Sequence, residues 1–440
     1  MKKLFFALLF ISSLAQAQYK IVGTLQPAEK YEYALLYKIV GARQEFVKNT
    51  TIKNGSFYFD LAKDAEPGAY RVTYDANNAG FVDFYYNKED VVFSFNPKEP
   101  ETTMTFSKSE ENKLYNQFIN AVSYVQYNVD SLQVAYLKVP LESTEERYKK
   151  AIENIKNVQE TFTKNAAGML VYDFIKATDR HNPETIAKTP NEYLTGVQKH
   201  FFDNIDFENK TLYNSPFLVD RISDYVFYMN YSDDVLTQID LHKKASSFVI
   251  DRIKNPVFKK DVIEFLIAQF ATTKDVVLVD YLFENHFDKL PQESKNIEFK
   301  EKTLSDLRAE IGRIAPDFSW KENGKTMKLS ELNDGKNYVL VFWSTTCPHC
   351  LREVPQLYNF LKDKSNTKVV AFAMEENDYQ WKKLTPNFKG WHHAFGLNKW
   401  ENKTARLYNI YSTPSYFILN ADKEIIAKPD TIEDVKMFFD

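Results

Sequence analysis

At 440 residues the chain is too long for one ordinary domain, and a hydrophobic content of 44% supplies side chains for two or three cores. A formal net charge of −4 excludes the strongly basic field that nucleic acid or acidic lipid would require. Phe (35) and Tyr (27) far outnumber Gly (12), which excludes a flexible low-complexity chain.

Residues 1–17 read as a secretory signal peptide. Lys2 and Lys3 give the positive start, Leu4 to Leu14 the apolar stretch, and Ala15-Gln16-Ala17 a small-x-small cleavage site. Cleavage is expected before Gln18. The apolar stretch is too short to span a bilayer comfortably, so an uncleaved anchor is the lesser alternative. No cysteine follows it that could take a lipid.

Residues 18–102 are expected to form a β-rich domain, a small sandwich or barrel. "YKIVGTL", "YEYALLYKIV", "GSFYFDL", "GAYRVTY" and "VVFSFNP" alternate apolar and polar residues, and Asn54-Gly55, Pro67-Gly68 and Asn77-Asn78 mark turns between them. Residues 103–306 change to helical spacing. Ser143 to Glu146 carries a capping-box signature, followed by Tyr148, Ile152, Ile155, Val158 and Phe162 on one face. Pro190, Pro216 and Pro256 sit where further helices can begin.

Residues 307–440 read as an α/β layer. Tyr338 to Trp343 is a continuous apolar strand, Pro348 to Lys364 a helix and Lys368 to Met374 a second buried strand. Ser415 to Leu419 and Glu424 to Ala427 form a hairpin, and Ile432 to Phe439 a last helix.

The only two cysteines, Cys347 and Cys350, lie in "WSTTCPHC". A bridge closing so small a loop adds little as a staple, but it works as a switchable redox couple. If Pro348 opens the helix, Cys347 sits at its N-terminus, where free N–H groups and the macrodipole favour a thiolate. His349 can add hydrogen bonding or positive charge, and Cys350 lies one turn on. The zinc alternative would need His392-His393 as further ligands and suits the strand-helix context less well. No metal and no other cofactor are expected.

"IGRIAPDF", "YVLVFWSTTCPHC", "LREVP" and "YNIYSTPSYFILNADKEI", in this order, resemble a thioredoxin-fold domain of the TlpA/ResA type of exported thiol-disulfide oxidoreductases, over roughly the last 130 residues. The first domain resembles, more loosely, β-rich modules found ahead of such domains. The resemblance implies Cys347 as nucleophile and Cys350 as resolving cysteine. It implies Pro414 as a cis-proline facing them, with Thr413 presenting backbone to a substrate peptide. Glu353 matches the acidic residue after the motif. The strand position at which ordinary thioredoxins carry a buried Asp is Val341 here, leaving Glu353 as the one nearby acid with a claim.

Two features depart from the pattern. Thr346 stands where the family usually has Trp, and the Cys-Pro-His-Cys quartet resembles strongly oxidising exported oxidases, whereas many TlpA/ResA-type proteins are reductants. The reading is therefore a periplasmic thiol-disulfide oxidoreductase acting on protein thiols and disulfides, with a membrane or periplasmic redox partner. The direction of exchange stays open. The alternative is a partner-binding or assembly protein whose thioredoxin-like domain is mainly a dock. A peroxidase would need Pro and Thr where Leu340 and Ser344 stand.

Overall fold

The computed structural model describes residues 19–28 and 31–440; the signal peptide expected at 1–17 and its cleavage site lie outside the described residues. Two compact units divide at Val262/Ile263, within the helix Pro256–Thr272. Among the described residues no helix is long and apolar enough to cross a membrane.

The first unit opens with eight strands: β1 Tyr19–Leu25, β2 Tyr33–Val40, β3 Arg43–Thr51, β4 Ser56–Leu61, β5 Gly68–Asp75, β6 Gly80–Tyr86, β7 Val91–Phe95 and β8 Thr105–Lys108. They form two four-stranded sheets, ordered β4-β1-β7-β8 and β3-β2-β5-β6. Alternation turns Ile21, Phe57, Phe59 and Phe93 of one sheet and Leu36, Val72 and Phe84 of the other into a single core. Gly23 lets the Phe57 ring lie against the β1 backbone; a Cβ there would stand 2.1 Å from a ring carbon. Asn54 and Gly55, both at positive φ, turn the chain into β4. The sequence reading missed β3, whose residues are almost all exposed and so carry no apolar alternation, and also β6 and the four-residue β8.

Helices Glu110–Lys138 and Glu142–Asn165 pack on one another through Phe118, Val122, Val129, Tyr148 and Ile152. Glu111 is buried, and its carboxylate accepts the Leu170 and Val171 N–H groups, both at 2.9 Å, at the start of helix Val171–Ala177. Pro190 and Pro216 each open a helix at its first turn. The capping box expected at Ser143 is not formed. Leu141 is the N-cap, and the helix begins one residue ahead of Ser143, the Thr144 and Glu145 N–H groups both reaching the Leu141 carbonyl. A capping box does form at Thr431 and Asp434.

The second unit carries helices Val276–Asn285 and Ile297–Asp306, then a five-stranded sheet. After the hairpin of β9 Ser319–Glu322 and β10 Lys325–Lys328 come β11 Asn337–Trp343, β12 Thr367–Glu375, β13 His392–Leu397, β14 Ser415–Leu419 and β15 Ile425–Ala427, in the order β13-β12-β11-β14-β15. β11, β12 and β13 run parallel, β14 is antiparallel to β11, and β15 is antiparallel to β14. Every residue of β11 after Asn337 is buried. Tyr338, Leu340 and Phe342 enter the core on one face; Val339, Val341 and Trp343 enter the other, beside Cys350. β13 was not expected, because "HHAFGL" has no strong alternation; pairing with the free edge of β12 makes it a strand.

Candidate active site at the C-terminal edge of the sheet

β11 ends at Trp343, in register with Ala373 and two residues before β12 ends at Glu375, at the sheet edge where parallel strands commonly hold functional groups. Past Trp343 the loop Ser344–Thr346 turns into the helix Pro348–Leu361. Cys347 is the N-cap of that helix in extended conformation, Pro348 occupies its first position, and Leu351 N–H closes the first turn on the Cys347 carbonyl at 3.0 Å. Cys347 is half-buried; Cys350, one turn on, is completely buried.

The two thiols are free and sit in opposite environments. Burial pushes the Cys347 thiol up, but hydrogen bonds from the backbone N–H of Cys350, the Thr413 side chain, the Cys350 thiol and the His349 N–H outweigh it and hold Cys347 below the ordinary value. Burial raises Cys350 to about 12, and the neighbouring Cys347 adds to that, against a single N–H donated by Ser344 at 3.5 Å and a contact from Thr413. Chemically, this is one thiol ready to ionise and one held in reserve.

The Thr413–Pro414 peptide is cis, and the Thr413 carbonyl accepts from the Cys347 thiol at 3.3 Å. That contact is open only to the protonated sulfur. The structure thus brings Thr413 and Pro414 beside the cysteines from the far side of the chain. The His349 ring pairs with Arg352 at 2.8 Å, so this residue reaches Cys347 through its backbone N–H. Pro348 and His349 are both exposed.

Glu353 follows Cys350 by three positions and shares its helix face. Its side chain is 18% exposed and accepts from Arg352 at 3.1 Å and from the Tyr416 hydroxyl at 3.2 Å. Sequence reasoning named Glu353 as the one nearby acid. The fold brings a second: Glu375, 2% exposed at the end of β12, accepts the Thr345 N–H two residues before Cys347. The signal in the sequence is a charged residue closing the apolar run "VVAFAM". Tyr416 was likewise missed, because in sequence it reads as one more apolar strand residue.

His392 is held between Glu322 and Asp334, each at 3.0 Å, and His393 contacts the Phe388 carbonyl. Among the described residues the one group of three side chains with metal-ligand chemistry is His181, His200 and Asp203, without either cysteine. There the imidazoles stack at 4.1 Å and 26°, and His200 Nδ1 lies 2.6 Å from Asp203 Oδ2.

Residues 310–434 match the Redoxin family. Over 123 residues the chain is 28% identical to the thiol-disulfide oxidoreductase ResA of Bacillus anthracis, covering 27% of this chain and 69% of that one. With ResA of Geobacillus kaustophilus the identity is 29% over 145 residues, covering 31% and 79%. Among solved structures, a domain of a possible thiol-disulfide isomerase from Cytophaga hutchinsonii is 29% identical, with a TM-score of 0.26, over 29% of this chain and 90% of that one. A thioredoxin-like protein from Bacteroides caccae is 18% identical, with a TM-score of 0.38, over 59% and 96%. The sheet, the placement of the motif and the family match together identify residues 310–434 as a Redoxin domain of the thioredoxin-like thiol-disulfide oxidoreductase class.

Proposed function

We propose that the protein exchanges disulfides with client proteins through the Cys347–Cys350 couple. The observation that carries this is the inequality of the thiols: Cys347 is accessible with its pKa lowered, while Cys350 is buried and raised to about 12. The Cys347 thiolate attacks one sulfur of a client disulfide. The client S–S bond breaks, its other sulfur leaves as a thiolate, and a mixed disulfide joins client and Cys347. Cys350 gives its proton to the Glu353 carboxylate and attacks the Cys347 sulfur. The Cys347–Cys350 bond forms, the mixed disulfide breaks and the client leaves with both sulfurs reduced. Reversal of these steps oxidises a client. Thr413 and Pro414 would lie against the client peptide, and Pro348 and His349 set the N-terminal turn that stabilises the thiolate.

We assign the protein to the periplasm, exported by the segment 1–17, with a membrane or periplasmic partner that regenerates the couple. Residues 18–102 and 103–306 would be a β-rich and a helical domain ahead of the redox domain at 307–440. A docking role alone leaves the separation of the two thiols without a purpose.

The test is Cys350→Ser. It should accumulate mixed disulfides on Cys347 with thiol proteins, and Cys347→Ser should accumulate none; absence of adducts from the first variant would defeat this reading. Equilibration against glutathione gives the direction. A potential near about −120 to −180 mV makes the protein a disulfide donor or isomerase, and one near about −270 mV a reductase.

A further inference from the structure

We propose that Tyr416 is a positioning residue for the resolving step: its hydroxyl fixes the Glu353 carboxylate on the face of the helix that carries Cys350, where it accepts the Cys350 proton. This rests on the exchange mechanism above.

Tyr416 lies on β14, two residues after Pro414, and pairs directly across from Val341 on β11. Val341, Tyr416, Cys350 and Val354 share one buried cluster. With Val341 apolar, β11 supplies no acid beneath Cys350. The carboxylate must therefore come from the helix, and Glu353 is one turn beyond Cys350. A carboxylate at the end of three rotatable bonds needs an anchor. Arg352, its other donor, has a side chain that is 59% exposed and shared with the His349 ring. The Tyr416 ring is 2% exposed and locked by packing, and its hydroxyl donates to Glu353 Oε2 at 3.2 Å.

Burial, then Glu353 and then Cys350 push the Tyr416 phenol well above its ordinary value, so it remains a donor wherever the thiols titrate. It therefore orients the carboxylate and takes no proton itself. The groups facing this cluster are Arg352 and His349 on the same helix, Cys347 and Cys350 at its start, Tyr416 on β14 and Glu433 on the C-terminal helix Ile432–Phe439.

The test follows full-length reduced protein with Ellman's reagent in stopped flow. The first thionitrobenzoate released reports attack by Cys347; the second reports resolution by Cys350. Tyr416→Phe should leave the first phase and its pH profile unchanged. It should slow the second about tenfold, as expected for losing a hydrogen bond to a charged group, and alter its pH profile. Glu353→Gln should slow the second phase at least as much, and the double variant should be no slower than Glu353→Gln. Tyr416→Leu, a second phenol-free variant, must show the same selective loss. If Glu353→Gln slows the second phase while both Tyr416 variants leave it unchanged, the Tyr416 proposal fails and the mechanism stands. Additive losses in the double variant also overturn the proposal. If Glu353→Gln leaves the second phase unchanged, the Glu353 step of the mechanism fails and the proposal with it.

Discussion

Alkylation of the reduced protein with iodoacetamide should fall on Cys347 and leave Cys350 nearly untouched. At pH 8 a thiol with pKa about 12 is ionised to roughly one part in ten thousand, and one below 9.0 to roughly a tenth or more. The thiolate fractions therefore differ by about a thousandfold or more. A more basic thiolate is also the better nucleophile, and a Brønsted coefficient near one half returns about thirtyfold of that difference. The net preference is about thirtyfold or more for Cys347, before burial is considered, and Cys350 has no exposed surface at all. Peptide mapping by mass spectrometry along a time course from pH 6 to 10 reads both rates. The Cys347 rate should pass its half-maximum below pH 9 while the Cys350 rate still climbs at pH 10. Comparable modification of both cysteines at pH 8 would refute the account of unequal environments.

Glu375→Ala leaves the Thr345 N–H without its acceptor in a buried loop and should cost about 1–3 kcal/mol, measured as a lower thermal midpoint; an unchanged midpoint would mean Glu375 does not anchor the loop. Gly23→Ala places a Cβ against the Phe57 ring, which is 2% exposed and hemmed in by Phe59 and Phe93, and should destabilise the sandwich by about 1–3 kcal/mol in a urea titration. Asp220 gives a pH test. Burial first, and then the nearby Asp83, raise its carboxyl to about 6. The folded state thus holds this proton more tightly than the unfolded chain, and the associated stability is present below pH 4 and lost as pH rises through 6. Asp220→Asn should therefore stabilise the protein above pH 6, by about 1 kcal/mol after discounting for its solvent-open side, and change nothing below pH 4. A gain at pH 4 equal to that at pH 7 would exclude titration as the cause.

Periodicity and punctuation determined much of this protein. β11, β12, β14, the active-site helix and the alternating strands of the sandwich are long apolar or strictly alternating runs bounded by Pro, Gly and Asn, and such runs have few other ways to bury themselves. The two cysteines were legible for the same local reason: their spacing and Pro348 are contained within four residues. β3 and β13 were not, because an exposed strand or a strand with two histidines is defined by the neighbour whose edge it completes. Glu353 was legible beside the motif, but only the tertiary structure brought in Glu375 as a second acid and Tyr416 as the partner of Glu353. Glu375 reaches the Thr345 N–H because β11 and β12 end side by side. Tyr416 reaches Glu353 because β14 runs antiparallel to β11 beneath the helix. These pairs are 30 and 63 residues apart in sequence, and no local periodicity records a contact made across a sheet.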